Sequence, residues 1–203
     1  MTLEIVTLLS RLTPKNLVKV FKRIRTKIGQ RYLLKEQSSL DRNLHLMNLD
    51  QAKRIGILYT LDDIPDYDKI SKFVSELQHN HKDVKALGFV KNKNLITRFL
   101  PKLSFDFFSI RDLSWFYKPI HFKLKDFIEK EFDLLIDLSS YESFPLKYIA
   151  GLSHSLCKVG RFSEENSNYY DLMIDIKPTA PLEDYLGQVR HYLTIINGHE
   201  AKN

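Results

Sequence analysis

The stretch Lys123-Leu-Lys-Asp-Phe-Ile-Glu-Lys-Glu-Phe132, followed directly by Asp133-Leu-Leu-Ile-Asp137, decides the fold class. In its first part, apolar residues recur three and four positions apart, which predicts an amphipathic helix. Its second part is a short apolar run between two aspartates, as expected of a strand that is buried on both faces. A helix that leads directly into a buried strand is typical of a parallel sheet covered by helices.

The same alternation continues on both sides of this stretch. Short apolar runs predict further strands at residues 54–59, 84–90, 105–110, 156–159 and 170–176. Helical periodicity predicts helices at residues 67–79, 144–154 and 181–196, the last one closed by Asn197-Gly198. Roughly six strands alternating with four helices predict βαβ units and a mostly parallel sheet. We therefore predict an α/β protein with a single Rossmann-like, three-layer domain over residues 51–203.

Residues 1–50 are predicted to form a helical arm in front of this domain. Helical spacing begins at residues 3–12, and Thr13-Pro14 is then a start signal for a second helix. The apolar residues of this second helix form one stripe: Leu17, Val20, Phe21, Ile24, Ile28 and Tyr32. Most of its bases fall opposite this stripe, so the sequence predicts a basic amphipathic helix.

The positive charge of the chain is concentrated in this arm. The whole sequence carries 31 bases and 25 acids, for a net charge of +6. Nine of the bases, and no acid, lie between Arg11 and Lys35, so the remaining residues are slightly acidic. A solvated helix face usually mixes both signs, because like charges four residues apart repel each other. An opposing polyanion would turn this repulsion into favourable phosphate contacts.

We therefore predict that the arm binds a polyanion. RNA or a ribonucleoprotein is the first candidate partner, and an anionic membrane surface is the second. Seven bases would supply the contacts: Lys15, Lys19, Lys22, Arg23, Arg25, Lys27 and Arg31. The alternative, equally open at this point, is that the apolar stripe packs on the body of the protein while the bases face water or its acidic surface.

A second candidate site lies at the carboxyl ends of the strands, where open α/β sheets bind their ligands. Six residues fall there by prediction: Asp62, Asp63, Arg111, Asp137, Ser139 and Ser140. A carboxylate at this edge could bind a ribose hydroxyl or act as a general base, and a serine could contact phosphate. The alternative is that Asp and Ser only cap turns and helices here.

Signatures of common cofactor sites are missing from the sequence. The loop after the first predicted strand reads Thr60-Leu-Asp-Asp-Ile-Pro65, with neither G-x-G-x-x-G nor a Walker pattern. We therefore expect no dinucleotide or P-loop cofactor, and we assign no catalytic residue and no metal ligand.

Cysteine usage and hydropathy bear on the compartment. Cys157 is the only cysteine, so the chain cannot form an internal disulfide, which fits a reducing cytoplasm. The apolar run at residues 5–9 is far too short to span a membrane. We expect a cytoplasmic protein without a transmembrane segment.

Several segments resemble known families. Phe132-Asp-Leu-Leu-Ile-Asp-Leu-Ser139, Phe144-Pro-Leu-Lys-Tyr-Ile-Ala-Gly-Leu-Ser-His154 and Lys158-Val-Gly-Arg-Phe162 resemble a bacterial family of uncharacterised proteins, and Tyr170-Asp-Leu-Met-Ile-Asp175 and Gln188-Val-Arg-His-Tyr-Leu193 extend that resemblance. The central segment also resembles, more weakly, the N-terminal Rossmann-like half of heptosyltransferases, which implies a glycosyltransferase-type half-fold.

Together these observations predict a non-catalytic protein that docks on a polyanion through its basic helix. The alternative prediction is a glycosyltransferase-like protein that binds a nucleotide or sugar phosphate at the carboxyl ends of its strands.

Overall fold

The computed structural model describes residues 14–61, 64–91 and 103–196. These residues form six strands and five α-helices. In chain order they are α1 (Pro14–Gln37), β1 (Arg54–Leu61), α2 (Ile64–His79), β2 (Asp83–Val90), β3 (Phe105–Phe108), α3 (Phe122–Glu129), β4 (Leu134–Asp137), α4 (Phe144–Leu152), β5 (Cys157–Arg161), β6 (Leu172–Ile174) and α5 (Leu182–Ile195). Two short 3-10 helices, Ile110–Asp112 and Glu164–Asn168, follow β3 and β5.

The strands form one parallel sheet, which confirms the predicted fold class. Their order is β3-β2-β1-β4-β5-β6, and every neighbouring pair runs parallel. This is the strand order of the Rossmann fold. The chain leaves the sheet at one edge after β3 and returns at the centre with β4, beside β1. Ligands of such sheets bind near this reversal, outside the carboxyl ends of the strands.

Helices cover the sheet on both faces and create two cores. The first core packs α2 and α5 against side chains such as Ile57, Tyr59 and Ile136. The second packs α1, α3 and α4 against Leu58 and Leu135. Because neighbouring strand residues point to opposite faces, Ile57 and Leu58 reach different cores. The strands are therefore buried on both sides, as their apolar sequences predict.

Within the described residues, the predicted strands and helices are present, with shifts at their ends. β1 runs two residues beyond its predicted end, to Leu61, because its pairing with β2 continues to Val90. β6 is confined to Leu172–Ile174, which pair with β5 only that far. The helix predicted at residues 3–12 and the cap at Asn197-Gly198 lie outside the described residues.

α1 packs on the domain through a face other than its apolar stripe. The face towards the body carries residues spaced four positions apart: Arg25, Gly29, Leu33 and Gln37. Leu33 is fully buried in the second core. A Cβ atom at position 29 would collide with the carbonyl oxygen of Phe116 and lie 2.7 Å from Cε1 of Phe144. The glycine thus permits a close approach that a Cβ atom would obstruct.

The predicted apolar stripe lies beside this packed face. Phe21 is 53% exposed and Ile24 is 45% exposed. Tyr32 stacks on Phe116 with ring centroids 4.5 Å apart, but remains half exposed. Packing of α1 therefore depends on backbone proximity at Gly29 more than on burial of the apolar stripe.

The connector after α1 is tied to the domain by a partly buried ion pair. The Arg42 guanidinium binds both carboxylate oxygens of Asp171, at 2.5 and 2.7 Å, and also donates to the carbonyl oxygen of Ser155. Asp171 in turn accepts a hydrogen bond from the backbone of Lys158 in β5.

Within the described ranges, no helix is both long enough and apolar enough to cross a membrane.

Candidate functional site

The outward face of α1 carries a row of bases. Lys19, Arg23, Lys27 and Arg31 are spaced four residues apart, and all four are exposed. Arg23, Lys27 and Arg31 each stand two positions from a residue of the packed face. Two positions correspond to about 200° around a helix, so the row points directly away from the body. Among the described residues, none of these four bases has an acidic partner within ion-pair distance.

A groove runs along one side of this row, between α1 and the 3-10 helix Glu164–Asn168. It has a volume of about 700 Å³ and is lined by the bases Lys19, Lys22, Arg23 and Lys27. Glu165 is the one acid among its described lining residues. We call these four lysines and arginines, with Glu165, the basic groove.

The remaining predicted polyanion-binding residues are placed differently. Arg25 turns towards the body, where its guanidinium carbon lies 3.9 Å from the ring centroid of Tyr117 and Nη2 donates to the carbonyl oxygen of Ser114 at 3.4 Å. Its guanidinium is therefore engaged with the body and not turned outward with the row of bases. The side chain of Lys15 lies outside the described residues.

At the carboxyl edge of the sheet, Asp137 ends β4 in a fully hydrogen-bonded state. One carboxylate oxygen accepts from the backbone N–H of Ser139, at 2.8 Å, and from the Ser139 hydroxyl; the other accepts from the Tyr170 hydroxyl. Burial raises the pKa of Asp137 above its ordinary value, and the three hydrogen bonds oppose that rise. Both oxygens are thus used within the protein.

The other predicted residues of this edge are partly internal as well. Ser140 bonds to Thr60 at the end of β1, with the hydroxyl oxygens 2.9 Å apart, and so joins the two central strands. Arg111 is exposed and lies in the 3-10 helix after β3. Asp62 and Asp63 lie outside the described residues.

Beside Asp137 lies a cavity of about 290 Å³, which we call the polar cavity. Three side chains that line it carry a polar atom without a hydrogen-bond partner among the described residues. These atoms are Oγ of Ser143, Nη1 of Arg161 and Oδ1 of Asn166. Ser143 is 6% exposed and Asn166 is 3% exposed. A buried polar atom without a partner costs free energy, so three such atoms around one cavity require an explanation.

Two cations stand at the polar cavity. The Arg161 side chain stacks on Tyr185 with its guanidinium carbon 4.0 Å from the ring centroid, and its Nε donates to the carbonyl oxygen of Ser139 at 3.2 Å. Burial lowers the pKa of Arg161. Lys147, in the first turns of α4, is paired with Glu142, whose side chain is largely exposed.

Sequence reasoning found this edge of the sheet but missed Ser143, Lys147, Arg161 and Asn166. Two signals pointed towards them. Ser143-Phe144-Pro145 is a helix start, with a Ser at the N-cap and a Pro in the first turn. Arg161 ends β5 two residues beyond the strand predicted at residues 156–159, so a strand prediction longer by two residues would have placed it at the carboxyl edge.

A larger cavity of about 670 Å³ adjoins the polar cavity, and we call it the aromatic cavity. Its walls include Phe89, Trp115, Tyr117 and Phe144, and the N-terminal half of α1 closes one side. Both cavities share Tyr141, Glu142, Ser143 and Lys147 as lining residues. The two cavities therefore form one bipartite cleft at the carboxyl edge of the sheet.

In the part of the chain that the structure describes, no group of three or more His, Cys, Asp or Glu side chains is arranged to hold a metal ion.

Comparison with protein families gives a match over most of the chain. The sequence model of a family of unknown function, DUF6913, matches residues 25–196, from the middle of α1 to the end of α5. This confirms the predicted resemblance to a family of uncharacterised proteins. Comparison with curated proteins and with solved structures finds no match, and the weaker resemblance to heptosyltransferases stays a prediction.

Proposed function

The chain belongs to this family of unknown function, and we propose from its surface chemistry that it docks on RNA, alone or within a ribonucleoprotein, through the basic groove and the outward row of α1. The α/β domain carries the helix and fixes its orientation. Contacts of this kind position a protein on phosphates without reading base sequence.

The basic groove is the observation that carries this proposal. Four bases and a single acid line a groove about 700 Å³ in volume, and Arg31 continues the row of bases along the helix. The phosphate backbone dominates nucleic-acid affinity because each neutralised phosphate releases a condensed counterion. A groove with this excess of positive charge suits a phosphate backbone.

The orientation of α1 favours RNA over a membrane surface. An interfacial helix inserts its apolar face into the lipid. Here the face that points away from the body is basic, whereas the apolar side chains lie next to the domain. In that stripe, Tyr32 stacks on Phe116 and Phe21 lines the aromatic cavity. The apolar stripe therefore cannot enter a bilayer without the domain approaching it as well.

The proposal is tested by replacing the outward row. We expect the combined variant Lys19→Gln, Arg23→Gln, Lys27→Gln and Arg31→Gln to bind a fluorescein-labelled 20-nucleotide single-stranded RNA at least tenfold more weakly, by fluorescence anisotropy. Between 50 and 200 mM salt, the slope of log affinity against log salt should become less steep by about 3, since each contact to a single strand contributes about 0.7.

A control removes the same number of charges elsewhere. Lys53, Lys72, Lys125 and Lys177 are exposed and lie outside α1. Their joint replacement by Gln should leave RNA affinity within about threefold of the native protein. If RNA affinity fell equally in both variants, the effect would come from net charge alone. Unchanged RNA affinity in the α1 variant would rule out the proposed surface. Sedimentation with phosphatidylserine vesicles, but no RNA binding, would favour the membrane instead.

A second candidate function is the binding of a nucleotide or sugar phosphate in the bipartite cleft. The observation in its favour is the position of the cleft in the sheet. The cleft lies at the carboxyl ends of the strands of a sheet with Rossmann order, where ligands of this fold class bind. A glycosyltransferase-like reaction is a further step for which we name no catalytic residue.

A further inference from the structure

We propose that the polar cavity binds the phosphate group of a nucleoside monophosphate, with the base of that ligand in the adjoining aromatic cavity. This inference rests on the second candidate function and is independent of RNA docking by α1.

The unpartnered polar atoms define the polar end of the ligand. The Ser143 hydroxyl can donate a hydrogen bond, the Arg161 Nη1 group must donate one, and Oδ1 of Asn166 can only accept one. The amide nitrogen of Asn166 is held by the carbonyl oxygen of Arg161 at 2.8 Å, which fixes the acceptor oxygen in place. A phosphate monoester satisfies all three, because its oxygens accept from Ser143 and Arg161 while a P–O–H or ribose hydroxyl donates to Asn166.

The start of α4 favours an anion at the same place. This helix has nine residues and no acid in its first turn. Ser143 occupies its N-cap position but makes no side-chain capping hydrogen bond. A serine there normally caps the helix, so its hydroxyl remains free for a ligand beside the positive end of the helix dipole.

The acids of the polar cavity are already occupied. Asp137 is held by Ser139 and Tyr170 through both carboxylate oxygens. Glu142 pairs with Lys147 from an exposed position, and its other oxygen lies 3.4 Å from the amide nitrogen of Asn166. Glu142 thus occupies the place of an external anion, and a phosphate that displaces it would gain Lys147 as a second cation.

The aromatic cavity determines the rest of the ligand. Its volume of about 670 Å³ falls in the range of small-molecule sites, and the 57% exposed Trp115 lines it together with the shared wall residues Tyr141 and Ser143. Aromatic side chains bind nucleobases by stacking. A ligand with phosphate and base would fill both cavities, whereas a simple sugar phosphate would fill only one.

Isothermal titration of the full-length protein with four probes tests the site. We expect AMP to bind more tightly than ribose 5-phosphate, and adenosine and inorganic phosphate to bind at least tenfold more weakly than AMP. Binding of adenosine as tight as that of AMP would overturn the phosphate site. The same affinity for ribose 5-phosphate as for AMP would overturn the role of the aromatic cavity.

Three variants locate the phosphate. Arg161→Gln should weaken AMP binding at least tenfold, and Ser143→Ala about fivefold, as expected for the loss of a charged and a neutral hydrogen bond respectively. Glu142→Gln should tighten binding several-fold, because it removes the competing carboxylate. The control Lys125→Gln replaces an exposed base that lines neither cavity and should bind AMP like the native protein.

The outcomes separate this inference from RNA docking. Ser143→Ala leaves no other side chain without a hydrogen-bond partner, so it tests the phosphate site even if Arg161→Gln fails to fold. AMP affinity that survives both Ser143→Ala and Arg161→Gln, or weakens in Glu142→Gln, contradicts the proposed phosphate position. RNA affinity should be unchanged in all three variants, while the four-residue α1 variant should still bind AMP.

Discussion

The two halves of α1 belong to one continuous helix but meet different surroundings. In the C-terminal half, Leu33 is fully buried, and the Gln37 side chain donates to the carbonyl oxygens of Gly151 and Asn168 at 3.2 and 3.0 Å. Glu36 binds Lys118 at 2.8 Å. In the N-terminal half, Lys19 and Arg23 are exposed and make no ion pair with a described residue.

This difference teaches that stability and recognition can be divided along a single helix. The C-terminal half is held by burial and by hydrogen bonds to residues more than 100 positions away in sequence. Apart from Arg25, which packs on Tyr117, the described residues of the N-terminal half add little to that packing. Substitutions in the outward row should therefore change binding, and substitutions on the packed face of the C-terminal half should change the free energy of unfolding.

The largest expected effect is at Leu33. Replacing this fully buried residue by Ala removes apolar contacts and leaves a cavity in the second core, so the free energy of unfolding should fall by about 3 kcal/mol. Urea denaturation followed by circular dichroism measures the change. Leu34→Ala is the matched control, because Leu34 is 52% exposed and its loss should cost less than about 1 kcal/mol. Similar losses in the free energy of unfolding for both variants would mean that the C-terminal half of α1 is not docked on the domain.

A second effect, intermediate in size, depends on pH. The Lys158 amine lies beneath the C-terminal half of α1 and donates to the carbonyl oxygen of Gly151 at 3.3 Å, which also accepts from Gln37. Burial lowers the pKa of Lys158 from 10.5 to about 7. Between these values the unfolded chain binds the extra proton, so this residue makes the free energy of unfolding rise as the pH increases from 7 towards 10.

Lys158→Met should remove that dependence. At pH 6 the variant should be more stable than the native protein by on the order of 2 kcal/mol, because charging a buried amine is costly. The difference in free energy of unfolding between the two proteins should become steadily smaller up to pH 10. Denaturation at several pH values measures it, with exposed Lys72→Met as the control for loss of charge. A constant difference at every pH would show that Lys158 is charged in the folded protein.

The smallest effect is at Gly29. Gly29→Ala should gain about 1 kcal/mol from helix propensity, but the added Cβ meets the Phe116 carbonyl group and the Phe144 ring, and overpacking costs about 1–3 kcal/mol. We expect a net loss of about 1 kcal/mol. Lys27→Ala, on the outward face, should lose no stability in the same denaturation experiment. A stabilised Gly29→Ala variant would mean that α1 does not approach the domain so closely.

Much of the fold was predictable because its signals are local. Apolar runs such as Leu134–Asp137 identify buried strands, and the alternation of strands with helices implies a parallel sheet. The contact face of α1 was not predictable in the same way. Periodicity finds the apolar stripe around Phe21 and Ile24, but the close approach at Gly29 depends on Phe116 and Phe144, which lie far away in sequence.

The candidate sites were likewise predictable only in part. Charge counting located the basic helix, since bases without acids are visible in the sequence. It could not show that Arg25 turns inward to Tyr117. At the sheet edge, strand prediction placed Asp137 and Ser139 correctly at the end of β4, but the unpartnered atoms of Ser143, Arg161 and Asn166 come together only through the packing of three separate segments.

The contact between Gln37 and Gly151 also sets an order of events during synthesis. These residues are separated by 114 positions. At about 5 to 20 residues per second, the ribosome completes α1 roughly 6 to 23 seconds before its docking surface on α4 exists. Until Phe116, Phe144 and Gly151 have been made, Gly29 and Leu33 lack these packing partners in the domain. The helix is therefore complete well before it can reach its final position, and its full docking requires that translation has passed α4.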